Sequence, residues 1–258
     1  QASLQEDGTW NLLLSDQWNI GDNPNGGYLI IPALRAMQLN ESHKDPLSVT
    51  AHFLRPGTGN EQAEISTELI RSGRSVTTTR GTLKQNGTTR LELMAAFGDL
   101  AESSAHDYEI TVEPPDIPPP EECLGRSGEQ QGVDLVINNR VEMRMSPPDP
   151  ENTGQTKAEV SGWIRLVDGR DPDVLSLVLF ADAFPPPIFS YVGRVGWVPT
   201  IEFTAHIRKR PEPGWVQGKF WTEDLRDGRM IETGLLWDSN GDLVAQSRQL
   251  AMFLPMEN

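Results

Sequence analysis

The sequence predicts an α+β chain built from two tandem copies of one unit, each a long helix wrapped by an antiparallel β-sheet. An internal repeat is the first observation behind this. Thr50-Ala-His-Phe-Leu-Arg-Pro56 recurs as Thr204-Ala-His-Ile-Arg-Lys-Arg-Pro211, and Arg71-Ser-Gly-Arg74 as Arg226-Asp-Gly-Arg229. Gln85-Asn-Gly87 returns as Ser239-Asn-Gly241, and Met94-Ala-Ala-Phe97 more loosely as Leu250-Ala-Met-Phe253. From His52 to His206, Gly73 to Gly228, Asn86 to Asn240 and Phe97 to Phe253 the offset is 154, 155, 154 and 156. That period is too long for a solenoid and too regular for two unrelated domains. Second, each copy carries one helical pattern followed by four strand-like runs. Third, a Pro-rich acidic stretch separates the copies.

In chain order, each copy opens with a short β region: Trp10 to Leu14 and Trp18 to Ile20 in the first, Val133 to Met145 and Ala158 to Val167 in the second. One helix follows, Tyr28 to Gln38 or Asp173 to Phe184. Four strands close the first copy, Leu47–Arg55, Glu61–Arg71, Ser75–Gln85 and Thr88–Phe97. Four close the second, Val198–Lys209, Trp215–Asp224, Met230–Asp238 and Leu243–Phe253. Thr, Val, Ile and aromatics are frequent in these runs, and Ile201, Phe203, Ala205 and Ile207 alternate as a half-buried strand does. Ser72-Gly73, Asn86-Gly87, Asp227-Gly228 and Asn240-Gly241 supply turns, because such pairs tolerate positive φ. The stretch between the copies includes Glu113-Pro-Pro-Asp-Ile-Pro-Pro-Pro-Glu-Glu122, which reads as an extended linker. The boundaries are therefore residues 1–100, a linker at 101–132, and residues 133–258. One helix plus a long meander suggests a curved sheet around the helix. Joining two such sheets edge to edge removes exposed edges. That arrangement is a double hotdog.

Composition narrows the function classes. Lys plus Arg number 22 and Asp plus Glu 37 in 258 residues, a formal charge of −15. Such acidity argues against a nucleic-acid surface, since phosphate contacts require clustered Lys and Arg. Cys123 stands alone, so no intrachain disulfide is available and a reducing, cytoplasmic compartment fits. With Pro and Glu around it and no base beside it, Cys123 reads as an unreactive loop thiol. Counted residue by residue, no apolar run reaches the roughly 18 residues of a membrane span. Gln1 in first place suggests that the natural start was removed, and the opening residues lack the basic and apolar regions of a signal peptide. No His and Cys cluster has zinc spacing and no phosphate-cradling glycine motif occurs, so neither a metal nor another cofactor is expected. Nothing here fixes the oligomeric state, and a homo-oligomer is allowed.

The second helix holds the most informative residue. Asp173 to Phe184 is apolar all round, and such helices are buried. Asp182 shares a face with Leu175, Val178 and Leu179. A carboxylate there costs several kcal/mol unless it is paired, hydrogen-bonded or shifted in pKa. Pro185-Pro186-Pro187 then ends the helix. The competing reading is a carboxylate that only accepts backbone N–H bonds beyond the helix end.

Four blocks resemble the thioesterase-like double-hotdog superfamily, related to the bacterial acyl-CoA thioesterase II enzymes. They are Gly21-Asp-Asn-Pro-Asn-Gly-Gly-Tyr28, Ala181-Asp-Ala-Phe-Pro-Pro-Pro187, Trp197-Val-Pro-Thr-Ile-Glu-Phe-Thr204 and Leu243-Val-Ala-Gln-Ser-Arg-Gln-Leu-Ala251. The resemblance implies hydrolysis of acyl-CoA thioesters, within lipid metabolism, by a water held between Asp, Thr and Gln. Carried over by motif, these are Asp182, Thr200 and Gln249. Gln249 lies with Ser247, Ala245, Ala251 and Phe253 on a face of small residues, whereas Gln246 and Arg248 take the other face. A solvated strand glutamine is the competing reading. Thr200 shares parity with Glu202, Thr204 and His206 rather than with the apolar set, so an inward role needs a bend at the strand's start.

The implied chemistry gives Asp182 the general base, with Gln249 and Thr200 orienting water or donating to an oxyanion. Gly26, Gly27 and Tyr28 open the first helix and are expected to meet substrate, because glycine lets a ligand approach backbone closely. A tight loop-to-helix turn explains the glycines equally well. The first helix has no carboxylate between Tyr28 and Gln38, so one working site is expected. His52 and His206 read as solvated. A CoA tail would meet arginines such as Arg55, Arg71, Arg208 or Arg210. The rivals are an enoyl-CoA hydratase or dehydratase, which needs a histidine near Asp182, and a noncatalytic acyl-CoA-binding hotdog protein.

Overall fold

The computed structural model describes residues 2–40, 43–100, 108–128, 132–147, 158–193 and 197–254. Parts of the expected linker, 101–107 and 129–131, and Gln1 lie outside them.

Fifteen strands are described, and thirteen form one antiparallel sheet. In the first half β1 is Ser3–Leu4, β2 Trp10–Leu13, β5 Asp45–Phe53, β6 Gln62–Ser72, β7 Thr77–Gln85 and β8 Thr88–Gly98. In the second half β9 is Leu124–Gly125, β10 Val141–Met145, β11 Ala158–Leu166, β12 Thr200–Ile207, β13 Val216–Arg226, β14 Arg229–Trp237 and β15 Leu243–Met252. The short β3 (Asn19–Ile20) and β4 (Asn23–Pro24) pair separately. The order across the sheet is β1-β2-β6-β7-β8-β5-β12-β15-β14-β13-β11-β10-β9. The two halves join where β5 pairs with β12, so each supplies the edge the other would leave bare.

That seam falls on the repeated motif. Thr50 and Thr204, equivalent in the two copies, are direct cross-strand partners with their hydroxyls 3.0 Å apart. A residue opposite its own equivalent in an antiparallel pair marks a local twofold. The register carries the equivalence further. Thr50 faces Met94 and Thr204 faces Arg248, so Ala95 in the first half corresponds to Gln249 in the second.

Two long helices fill the concave side. Gly26–Asn40 (α1) packs on β5 to β8, Val174–Ala183 (α2) on β12, β14 and β15, and the helices pack on each other. Inward residues alternate along the strands, as Val49 and Ala51, Leu91, Leu93, Ala95 and Phe97, and Phe203, Ala205 and Ile207. Every residue of α2 except Asp182 is buried. Its start is fixed by a capping box: Ser176 N donates to Asp173 Oδ1 at 2.7 Å, and Asp173 N to Ser176 Oγ at 2.6 Å. On mean hydropathy the run Val174–Val192 is in fact long and apolar enough to cross a membrane, contrary to the residue-by-residue count, but 72% of it is buried inside the protein. It forms two helices, α2 and Ile188–Val192 (α3), divided by Phe184 and the prolines.

Local expectations are corrected in three places. Val133 to Met145 is not all strand, because Val136–Asn139 is a 3-10 turn that sets Ile137 into the core. Trp18 likewise ends a 3-10 turn, Asp16–Trp18, before β3. Among the predicted turns, Asn86 and Asp227 take positive φ beside Gly87 and Gly228, whereas Gly73 does not and closes its loop by donating to Val76 O at 3.0 Å.

The crossover segment is extended, as its prolines require, but it is pinned. Trp237 of β14, Gln217 of β13 and Trp163 of β11 donate in turn to the carbonyls of Val112, Pro115 and Pro118, at 2.7, 2.7 and 2.9 Å. Proline offers a carbonyl and no competing N–H, so these side chains find acceptors along its length. The segment thus crosses three strands, makes a 3-10 turn at Pro120–Glu122, and ends as β9 on the sheet edge beside β10. Leu124 and Gly125 are therefore strand, inside the span read as linker. Cys123 is buried there, its thiol donating to Pro118 O at 3.3 Å, and burial and then Glu122 push its pKa up.

Candidate active site

A cavity of about 290 Å³ opens between the halves. Its apolar wall includes Leu29, Phe53, Phe184, Phe189, Trp197 and Val198. Asn25, Gly26, Asp182, Thr200, Glu232 and Gln249 contribute polar groups to the same cavity, with Arg55 and Arg126 as its cations.

Asp182 enters it from the last turn of α2 and meets the N-terminus of α1. Its Oδ2 accepts from Gly27 N at 2.7 Å and from Asn25 Nδ2 at 2.8 Å. Asn25 Nδ2 also donates to the Asp182 carbonyl at 3.1 Å, while Asn25 Oδ1 accepts from Tyr28 N and caps α1. The carboxylate does accept backbone N–H bonds, but from the other half's helix, 155 positions away. Burial raises its pKa to about 6, and the bonds from Gly27, Asn25 and Gly26 restrain the rise.

The glycine pair serves this contact. A Cβ on Gly27 would stand 3.0 Å from the backbone of Leu179 and 3.1 Å from Asp182 Cβ, and one on Gly26 would stand 2.9 Å from the Phe53 ring. What approaches the glycine backbone is therefore α2 itself. Replacing Gly27 by Ala forces the helices apart and should destabilise the protein by about 1–3 kcal/mol, as overpacking does. Chemical denaturation measures this, and an unchanged midpoint would refute it.

Gln249 and Thr200 meet. Thr200 Oγ1 donates to Gln249 Oε1 at 2.8 Å. A β-bulge between Thr200 and Glu202 shifts the register against β15 and supplies the bend that parity demanded. Gln249, 9% exposed, then donates from Nε2 to Glu232 Oε1 at 2.7 Å. Glu232, 5% exposed, sits on β14 directly across from Gln249. Its pKa rises to about 8, first through burial and further through the charge of Asp182, against the bond from Gln249.

Tyr28 does not line the cavity. Its ring stacks on Trp18, with centroids 5.2 Å apart, and its hydroxyl accepts from Ser15 N at 2.9 Å. One step along a helix turns a side chain by about 100°, which carries Tyr28 away from the face that Gly26 presents. Gly27 also lies behind the cavity wall, its N–H spent on Asp182. Among the expected phosphate-binding arginines, Arg55 reaches the cavity, Arg71 and Arg208 are exposed strand and loop residues, and Arg210 is ion-paired with Asp45 at 2.7 Å. His52 and His206 are exposed on the outer face.

Three residues were not foreseen. Glu232 is the most telling, because Met230, Glu232, Gly234 and Leu236 share the buried parity of β14, so an acid on an apolar face was visible in the alternation. Asn25 stands in the Gly21–Tyr28 block but carries no expected role there. Arg126 looked like linker, but it is a cavity cation whose Nη1 donates to Ala183 O at 2.6 Å, with its pKa lowered by burial to about 10.

By register, Thr200, Gln249 and Glu232 correspond to Pro46, Ala95 and Thr79 in the first half, none of which can reproduce the polar chain. Among the described residues no group of His, Cys, Asp and Glu could hold a metal ion.

Two helix-and-sheet units joined edge to edge, with a cavity between them, define the double-hotdog class. Comparison with known proteins gives the family. Residues 14–98 match the acyl-CoA thioesterase N-terminal domain and residues 114–253 the acyl-CoA thioesterase C-terminal domain, so the chain belongs to the acyl-CoA thioesterase family. The structure is similar to that of a candidate thioesterase II from Thermobifida fusca YX, with a TM-score of 0.86 and 31% identity over 98% of this chain and 95% of that one. It shares its fold with the acyl-CoA thioesterase II TesB2 of Mycobacterium marinum, at TM-score 0.74 and 18% identity over 100% and 97% of the two chains. The thioesterase-like protein TwmA of Talaromyces wortmannii is 22% identical over 100% of this chain and 91% of its own.

Proposed function

We propose that the protein is an acyl-CoA thioesterase that hydrolyses fatty or related acyl-CoA by a water held and activated at Asp182, with Gln249 and Thr200. The observation that carries this is the convergence of Asp182 and the Thr200–Gln249 pair on one largely apolar cavity. An acyl chain suits that apolar wall, and Arg55 and Arg126 are the cations a CoA tail would meet. The carboxylate of Asp182 takes a proton from water as the oxygen attacks the thioester carbon. The tetrahedral intermediate collapses with loss of the thiolate, which recovers the proton, giving a free acid and CoA thiol. Because Thr200 gives its proton to Gln249, its lone pairs are left to accept from the attacking water.

Further parts of the reading rest on the same ground. The two units arose by internal duplication, divided at residues 1–100 and 133–258, and only the second kept the polar chain. The chain works in the cytoplasm in lipid metabolism, as its single buried thiol and acidic surface suit, and can assemble as a homo-oligomer. A hydratase is disfavoured because no histidine is among the described residues lining the cavity.

Release of free thiol from a panel of short to long acyl-CoAs tests the proposal. Turnover that peaks at one range of chain length is expected. Binding without thiol release would leave a noncatalytic acyl-CoA-binding protein, and hydroxyacyl-CoA formed from enoyl-CoA would make it a hydratase.

A further inference from the structure

The site holds a second carboxyl group that the hydrolysis just described does not use. Glu232 is nearly inaccessible to solvent, faces the cavity, and has one hydrogen bond, accepted by Oε1 from Gln249. The charged groups around the same cavity are Asp182 of α2, Arg126 of the crossover and Arg55 after β5. Asp182 is near enough to Glu232 for its charge to bear on it. The two carboxyls have opposite surroundings. Asp182 rests on the N–H groups of a helix N-terminus and an amide, which favour an anion. Glu232 has one amide N–H, an apolar wall and a neighbouring negative charge, which favour the neutral acid.

Hydrolysis of a thioester needs a donor for the carbonyl oxygen as negative charge develops on it. Several donors here are spent. Both hydrogens of Asn25 Nδ2 go to Asp182, Gly27 N goes to Asp182, and the Thr200 hydroxyl goes to Gln249. Arg126 has its Nη1 committed to Ala183 O, at the end of α2. Beside the water-holding groups, the second hydrogen of Gln249 Nε2 and the acid proton of Glu232 are available as donors.

We propose that Glu232 serves this site as a neutral carboxylic acid whose O–H donates to the thioester carbonyl oxygen as the oxyanion forms. The inference rests on the hydrolase reading and adds a catalytic residue to it. In the addition step a water proton moves to Asp182, the water oxygen bonds to carbon, and the C=O π pair moves onto oxygen, where the Glu232 O–H meets it. In the collapse step C=O reforms, the C–S bond breaks, and the proton on Asp182 goes to sulfur. Glu232 keeps its proton throughout, so it need only be neutral. Gln249 holds it in place by donating to Oε1, which leaves Oε2 to carry the proton.

The test is the pH dependence of kcat for acyl-CoA hydrolysis by the full chain, wild type against Glu232→Gln and Glu232→Ala. Wild type should lose activity on the alkaline side as Glu232 ionises, near pH 8. Gln keeps the shape, the acceptor and an N–H donor but cannot ionise, so this variant should retain activity within about tenfold and lose the alkaline limb. Ala removes the donor and should lower kcat by about 10²–10³-fold with little change in KM. An alkaline limb that survives in Glu232→Gln, or wild-type kcat in Glu232→Ala, overturns the proposal. Infrared spectroscopy gives a readout independent of turnover. A protonated carboxyl C=O stretch present in wild type at neutral pH and lost in Glu232→Gln supports the neutral acid, and its absence from wild type overturns it. If wild type turns over no acyl-CoA, the hydrolase reading falls, and the oxyanion role with it. If it does turn over while the Glu232 variants match it, only the present inference falls.

Discussion

Replacing Asp182 by Asn should lower kcat for acyl-CoA hydrolysis by about 10²–10⁴-fold, the usual contribution of a positioned general base. Asn fills the same space, and its Oδ1 still accepts from Gly27 N and Asn25, so α1 and α2 stay joined and KM should change little. What is lost is the ability to take a proton from water. Wild type should also show an acidic limb. The pKa of Asp182 is raised to about 6, so the group is protonated below that pH and cannot act as a base, and ionised above it. Activity should therefore fall about tenfold for each pH unit below about 6, and Asp182→Asn should lack this dependence. Stopped assays of thiol release across the acidic range read both effects. Turnover in the variant equal to wild type would remove the base from Asp182 and leave it a clamp between the helices.

Much of the fold could be read from the chain because the internal repeat writes one pattern twice. The equivalence of Thr50 and Thr204, found as a repeat, proved to be a cross-strand pair at the seam. Asp182 was legible because one acid in an apolar helix conflicts with its surroundings, and Gln249 because small residues flank it on alternate positions. Two of the failures share a physical cause, namely contacts made between segments distant in the chain. Asn25 matters only because α2 of the other half arrives at it, and Arg126 only because the crossover returns to the end of α2. Tyr28 was grouped with the glycines by adjacency, although a helix separates consecutive residues by direction. The bulge at Thr200 supplies the bend that its parity required, although nothing in an alternating pattern records the extra residue. Glu232 is a different case. Its parity carries the same conflict as Asp182, an acid on a face shared with Met230 and Leu236.

Glu232 therefore offers the sharpest test of stability as well as of rate. A carboxyl with a pKa of about 8 in the folded state, against an ordinary 4.5, takes up protons on folding. Its stabilising effect is complete at pH below the unfolded value and is lost as pH rises through about 8. Above that pH the folded protein must hold an anion beside Asp182 in an apolar cavity. Glu232→Gln removes the group that titrates and keeps the hydrogen bond from Gln249. The variant should match wild type in thermal midpoint near pH 4–5 and exceed it progressively as pH rises towards 9. A shift of this size corresponds to about 5 kcal/mol at about 1.4 kcal/mol per pKa unit, or on the order of 10–20 °C for a chain of this length. Differential scanning calorimetry at a series of pH values reads the divergence directly. The same substitution is expected to keep neutral-pH turnover within about tenfold of wild type, so the site keeps its acid at the expense of alkaline stability. Parallel melting curves for the two proteins from acid to alkaline pH would mean that Glu232 ionises freely, and the buried acid would have no distinct standing in the site.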